Sequence, residues 1–143
     1  MTFDDYLQHG PQQTFELASG GSRLLAFIID AIVRFIPSLI LLAIFSDSLV
    51  VGLLFDVIYK WFFWINYDGQ TPGKMAMNIR IIRTDGASMT HHEVLLRILG
   101  EFVSAFILLL GFLWIIFDAN NQGWHDKIAG TYVVVTAKKQ VVI

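Results

Sequence analysis

Ionisable side chains interrupt each long apolar run of this sequence, and most of them stand four residues apart. The pairs are Asp30 with Arg34, Asp56 with Lys60, and Arg97 with Glu101. Residues four apart are neighbours on a helix surface, so each pair brings a carboxylate beside a cation. Arg23 lies seven residues before Asp30 and shares its helix face. Such groups can neutralise one another, or they can relay protons or cations.

These ionisable residues admit two interpretations. Inside a membrane helix each would cost roughly 2.5–3.5 kcal/mol, so it needs a partner or a water-filled cavity. In the first interpretation the pairs hold a helix bundle together, with Asp30 paired to Arg23, Arg34 or both. In the second they line a polar path in which Asp30 and Asp56 exchange protons or bind a cation. The sequence leaves both open.

The segment Gly69–Lys74 (GQTPGK) has a superficial likeness to a phosphate-binding loop. The Walker pattern needs four residues between its glycines and Ser or Thr after the lysine, whereas here three residues intervene and Met75 follows. The segment is better explained as a rigid turn at a membrane interface, with Lys74 near lipid phosphates.

Histidines are the remaining candidates for catalysis or metal binding. His125 and Asp126 could form a dyad, but no serine nucleophile is marked by the sequence and cysteine is absent. His91 and His92 are adjacent, so neither helix nor strand geometry aims both at one metal. We therefore expect no enzymatic activity, no metal and no cofactor. Asp126 is expected to hydrogen-bond its own loop, or to reach Arg23 or Arg97.

The composition explains why charges inside apolar runs matter. Of 143 residues, 55% are hydrophobic and only 15% are charged, and the net charge is −2. Soluble globular proteins carry about 25% charged residues, so lipid must be part of the solvent. The slightly acidic balance argues against a nucleic-acid partner. The absence of cysteine excludes disulfides.

Two apolar runs, with predicted spans of about 24–45 and 49–66, form a transmembrane helical hairpin because the connection between them is very short. Trp61, Trp64 and Tyr67 at the end of the second run are typical of an interfacial aromatic belt. A polar tail over residues 1–22 precedes the hairpin. A third apolar segment covers residues 94–117, and residues 137–143 form a C-terminal tail.

Two short segments predict a small antiparallel sheet beside the membrane. Asn78–Arg83 (NIRIIR) alternates polar and apolar residues, and Thr131–Thr136 (TYVVVT) is rich in β-branched residues. The fold class is thus an all-α integral membrane protein with one cytoplasmic two-stranded β element.

The positive charges of the loops set the orientation. Residues 66–93 carry Lys74, Arg80 and Arg83, which places them in the cytoplasm together with the N-terminus. The tail carries Lys127, Lys138 and Lys139, which places it inside as well. Residues 66–93 and the C-terminal tail can both lie in the cytoplasm if residues 94–117 form a re-entrant or short helical hairpin that turns near Phe106–Gly111. A single third span is the alternative.

Taken together these segments resemble the RDD family of small membrane proteins over about residues 18–136. The resemblance rests on Arg23 and Asp30 in SRLLAFIIDA, the intact GQTPGK loop, Arg97, and the stretch GFLWIIFDANNQGWHDKIAGTYVV. The positions that match the family motif are Arg23, Asp30, Gly69, Thr71, Pro72, Gly73, Lys74, His125, Asp126, Gly130 and Thr131. The resemblance implies a membrane protein for which transport of unidentified ligands is the usual suggestion.

Two functions follow as hypotheses. The first is passage of ions (a cation or protons) or small solutes through a polar interior formed by a homo-oligomer, since two spans and a hairpin are too few to enclose a pathway alone. The alternative is a non-catalytic structural or accessory subunit of a larger membrane complex. Either would be a multi-pass protein of the cell (inner) membrane whose partner is the lipid bilayer.

The orientation predicts that both termini are cytoplasmic. Because the chain contains no cysteine, Gln140→Cys would introduce a single thiol for labelling. In intact cells a membrane-impermeant maleimide should leave this thiol unmodified until the cells are permeabilised. Labelling from outside would instead support a plain three-span protein.

Overall fold

The computed structural model describes residues 15–45, 48–107 and 109–136. The N-terminal tail up to residue 14 and the C-terminal tail over 137–143 lie outside the described residues, so their predicted locations stay predictions.

Two long apolar helices form the predicted hairpin. Helix α1 covers Gly20–Ile44 and helix α2 covers Ser48–Asn66. Both are long and apolar enough to cross a membrane, and only 6% of each apolar window is buried within the protein. Helix α1 begins four residues before Leu24 because Ser19 caps it, its side chain accepting a hydrogen bond from the Ser22 N–H at 3.1 Å.

A tight turn joins α2 to a short helix that packs against α1. Asp68 and Gly69 both have positive φ, at 50° and 76°. Helix α3, Pro72–Ala76, then begins with Thr71 as its N-cap and Pro72 in the first turn. The GQTPGK segment therefore begins with the predicted turn and continues into one helical turn, which the sequence did not predict.

The predicted sheet is confirmed. Strands β1 (Ile79–Arg83) and β2 (Thr131–Val135) pair antiparallel, with Ile81 opposite Val133. The segment before α1 extends this pairing, because the Ala18 N–H donates to the Val133 carbonyl at 2.9 Å. The chain entering α1 and the last strand therefore lie side by side.

The third apolar segment is bent. Helix α4 covers His91–Phe106 and begins where Glu93 accepts a hydrogen bond from the Thr90 N–H at 2.8 Å. Helix α5 (Leu110–Leu113) continues into a 3₁₀ turn, Trp114–Ile116. The axes before and after the bend differ by 109°. Helix α6, Trp124–Ala129, then packs on α4 and leads into β2. Strand β1 precedes the third apolar segment and β2 follows it. Because the two strands pair, the chain between them begins and ends at the sheet.

The buried core lies where the helices meet the sheet. The members of the main cluster are Ala18, Ala26, Trp64, Ile79, Ile81, Met89, Val94, Ile98 and Val133. The prediction of an interfacial belt is wrong for Trp64, which is only 2% exposed. Its ring packs inside this core because α4 and α3 cover that end of α2.

Candidate functional site

Asp30 is buried in α1 and holds the turn that begins α3. Its carboxylate accepts hydrogen bonds from the Thr71 hydroxyl at 2.5 Å, the Gly73 N–H at 2.8 Å and the Tyr59 hydroxyl at 2.9 Å. We call this arrangement the Asp30 clamp. It joins α1, α2 and α3 through three neutral donors, which satisfy a buried carboxylate without a cation.

Glycine at position 73 is what allows α3 to approach α1 this closely. A Cβ at this position would overlap the main-chain carbonyl of Ala26 and the Asp30 carboxyl group. Thr71 has two roles, because its side-chain oxygen caps α3 and its hydroxyl donates to Asp30. The GQTPGK sequence thus encodes a docking surface for α1.

A second buried cluster surrounds Asp126, which is 0% exposed. Arg23 from α1 pairs with one carboxylate oxygen at 2.7 Å, and Arg97 from α4 pairs with the other. The Gly123 N–H donates to the same carboxylate at 2.8 Å. We call Arg23, Arg97, Asp126 and the neighbouring His125 the Asp126 cluster. The expectation that Asp126 reaches Arg23 or Arg97 is confirmed, and it reaches both.

The arginines of the Asp126 cluster also bind the surrounding loops. Arg97 donates to the Thr131 hydroxyl at 2.6 Å, at the start of β2. Arg23 donates to the Asn121 carbonyl at 2.5 Å. Burial by itself would raise the pKa of Asp126, but the guanidinium groups of Arg97 and Arg23 outweigh burial and hold that pKa well below its usual range.

His125 completes the cluster as a neutral side chain. Its Nε2 lies 3.2 Å from Arg23 Nη2 and 3.6 Å from Asp126 Oδ2. Its Nδ1 is buried and has no hydrogen-bond partner among the described residues. Burial, together with the positive charges of Arg97 and Arg23, lowers the pKa of His125 to about 4. Among the described residues, no serine hydroxyl forms a hydrogen bond with the His125 ring.

A third group of charges connects the three long helices. Arg34 of α1 pairs with Asp56 of α2, Asp56 pairs with Lys60 at 2.7 Å, and Lys60 pairs with Glu101 of α4 at 2.5 Å. We call this row of alternating charges the charge ladder. Its side chains are between 16% and 28% exposed, so they are neither fully buried nor freely solvated.

Comparison with known proteins identifies the family. A model described as the RDD family matches residues 17–130, which is most of the chain. The chain belongs to the RDD family.

One curated relative is an uncharacterized protein of Rickettsia prowazekii (strain Madrid E), 31% identical over 80 residues. The match covers 54% of this chain and 44% of that relative, so this chain spans less than half of the relative's length. No solved structure gives a significant match.

Two pairings expected from the sequence are wrong. The Asp30 carboxylate pairs with neither arginine. Arg23 pairs with Asp126, and Arg34 pairs with Asp56. The Nε of Arg34 donates to the main-chain carbonyl of Asp30 at 3.2 Å. Arg97 and Glu101 do not pair within α4, because Glu101 pairs with Lys60. The Asp56–Lys60 pair is confirmed. Charges on different helices of this RDD protein compete successfully with the i,i+4 neighbours.

Tyr59 is a member of the site that sequence reasoning missed. Its hydroxyl donates to Asp30, and Arg34 lies 5.4 Å from the centre of its ring. Tyr59 therefore connects the Asp30 clamp to the charge ladder. The available signal was a polar-tipped aromatic residue directly before Lys60 inside an apolar run.

The remaining motif positions shape the ends of these elements. Gly130 has φ of 64° at the C-terminal cap of α6, and Thr131 follows as the Arg97 partner. Within residues 15–45, 48–107 and 109–136, no group of three His, Asp or Glu side chains is arranged to hold a metal ion.

The Asp30 clamp predicts a difference between two substitutions. Asp30→Ala should destabilise the fold by about 1–3 kcal/mol for each buried donor left unpaired. Asp30→Asn should lose much less stability. Its amide oxygen can accept hydrogen bonds from Gly73 and Tyr59, while its amide nitrogen donates to Thr71. Thermal unfolding in detergent measures both. Equal melting of Asp30→Ala and the wild type would contradict the clamp.

The Asp126 cluster predicts a pH dependence of stability. The pKa of His125 is lower in the folded chain than its ordinary value of 6.5. The contribution of His125 to the free energy of unfolding is therefore present above pH 6.5. It is lost as the pH falls toward 4, by at most about 1.4 kcal/mol per pH unit. The contribution of Asp126, whose pKa is also lowered, is lost only at still lower pH.

Thermal melting between pH 4.5 and 7.5 tests this dependence. His125→Gln should flatten the curve in that window, whereas His92→Gln on the exposed N-terminal turn of α4 should leave it unchanged. An unchanged slope in His125→Gln would exclude His125 as its origin.

Proposed function

We propose that this RDD protein is a multi-pass protein of the cell membrane, without enzymatic activity, that passes cations or protons along the charge ladder. The pathway would be completed by a second copy of the chain. The observation that carries this proposal is the partial exposure of the ladder, from 16% to 28% for its four side chains, on helices that are otherwise apolar outside.

Partial exposure within a membrane span has a physical consequence. A charge facing hydrocarbon is expensive even when it is paired, so the open side of the ladder requires water or protein against it. The ladder is neutral overall, with two cations and two carboxylates in alternation. A passing proton or cation adds one positive charge to this neutral row, and the carboxylates of Asp56 and Glu101 can accept it in turn.

The polar groups continue beyond the ladder toward the sheet. The charge of Glu101 acts on His125, which lies in the Asp126 cluster. Arg34 is joined through Tyr59 to Asp30. Ionisable groups thus extend from within the spans to the side where the sheet lies, which is the arrangement a pathway needs at one of its ends.

We further propose that residues 94–117 form a re-entrant hairpin and that both termini are cytoplasmic. The 109° bend and the pairing of β1 with β2 support this, because a single crossing would separate the two strands by a bilayer. The loop charges favour the cytoplasm for the sheet side.

The second candidate function is that of a structural or accessory subunit of a membrane complex. The complete pairing of Asp30 and of the ladder within one chain favours it. Groups that satisfy one another hold helices together and need no transported ion. In this case the open side of the ladder would contact a different protein.

Flux measurements separate these candidates. Purified protein in liposomes should dissipate an imposed gradient of protons, Na⁺ or K⁺ faster than protein-free liposomes. Glu101→Gln should reduce this flux at least about tenfold while keeping the fold, because Lys60 retains Asp56 as a partner.

The control is Asp68→Asn, which removes a carboxylate from the exposed Arg80–Asp68 pair of the sheet side. Its flux should equal that of the wild type. Wild-type liposomes without flux of any of the three cations would reject transport. A different result would favour the structural candidate. In that case Glu101→Gln alone disrupts assembly, and neutralising Lys60 together with Glu101 restores it.

A further inference from the structure

Lys74 differs from the other basic residues that the structure describes. All the other described Lys and Arg side chains form ion pairs; they are Arg23, Arg34, Lys60, Arg80, Arg83, Arg97 and Lys127. Lys74 forms none, and its ammonium makes no hydrogen bond among the described residues. It is nevertheless partly buried in α3, beside the end of α2.

Two further donors near Lys74 lack acceptors. The ammonium of Lys74 lies 5.9 Å from the centre of the Trp64 ring, and the guanidinium of Arg97 lies 5.2 Å from it. Trp64 Nε1 and Arg97 Nε are both buried and have no partner among the described residues. Native proteins rarely leave such groups unsatisfied, so each requires an explanation.

The charges around Lys74 do not balance. Arg23 and Arg97 share the single carboxylate of Asp126, and Asp30 already accepts three hydrogen bonds. Glu101 also acts on the charge of Lys74, but it is paired with Lys60 in the charge ladder, which is neutral overall. Outside the ladder, three cations thus face two carboxylates. Burial, and next the neighbouring Arg97, lowers the pKa of Lys74 to about 8. One monovalent anion would restore neutrality at this point.

We propose that Lys74 binds the phosphate group of an anionic phospholipid on the sheet side of the membrane, beside Trp64. The position fits a headgroup, because Trp64 lies near the end of α2 while the helix surface before it is exposed and apolar, as at Ile58 and Phe62. A phosphate diester carries one negative charge and presents acceptor oxygens to an ammonium and to N–H donors. The proposal is independent of transport.

Binding is measured on delipidated protein in detergent. Phosphatidylglycerol should raise the melting temperature of the wild type and appear as a bound adduct in native mass spectra. Lys74→Gln should weaken the apparent affinity at least about fivefold, whereas Lys74→Arg should stay within about twofold. The matched control is Lys127→Gln, which removes the same charge from an exposed lysine paired with Asp118.

Glycerol 3-phosphate and inorganic phosphate distinguish the source of the anion. Stabilisation by phosphatidylglycerol alone supports a lipid site, and equal Lys74-dependent stabilisation by the soluble anions would overturn the lipid as the occupant. A second measurement needs no variant: phosphatidylglycerol should slow acetylation of Lys74 several-fold relative to Lys127, read by peptide mapping. Equal lipid binding by Lys74→Gln and wild type, or unprotected Lys74, would overturn the proposal.

Discussion

The carboxylate of Asp126 is shared between Arg23 and Arg97, and much of the fold depends on this interaction. Arg23 stands at the beginning of α1, Arg97 in α4 and Asp126 in α6, so one buried anion fixes three elements that are distant in the chain. An unpaired charge at any of these positions would carry a large burial cost. Separating any one of these elements would therefore leave a buried charge unpaired.

The Asp30 clamp solves a related problem in a different way. Asp30 lies within α1 and takes its hydrogen bonds from a hydroxyl pair and one backbone N–H rather than from an arginine. This leaves Arg23 free for Asp126 and Arg34 free for Asp56. The cost is a restriction on the partner surface: Gly73 must lack a side chain for its N–H to reach the carboxylate. The loop sequence and the buried charge therefore constrain each other.

The three polar groups differ in their access to the surroundings. The carboxylates at the centres of the Asp30 clamp and the Asp126 cluster are buried, which suits groups that fix helices in place, and only Tyr59 and Arg23 at their edges are partly exposed. In the charge ladder all four side chains are partly exposed along the helices. Exposure in lipid requires a second surface against it. That contrast is why the proposed pathway is assigned to the ladder, and the structural role to the other two groups.

The sequence by itself determined the apolar helices, the two strands and the family, because each depends on local periodicity, turn residues or ordered motifs. For the third segment it left a hairpin and a single span open, and the bend is a result of the structure. The sequence also predicted a set of seven ionisable residues for a polar core. It could not assign their partners, since the rule of neighbours four apart considers one helix at a time. Only the tertiary structure brought Asp126 between two arginines, Glu101 to Lys60, and Tyr59 to Asp30. Those pairings depend on how helices cross, and a buried charge takes whichever partner the packing brings within hydrogen-bonding distance.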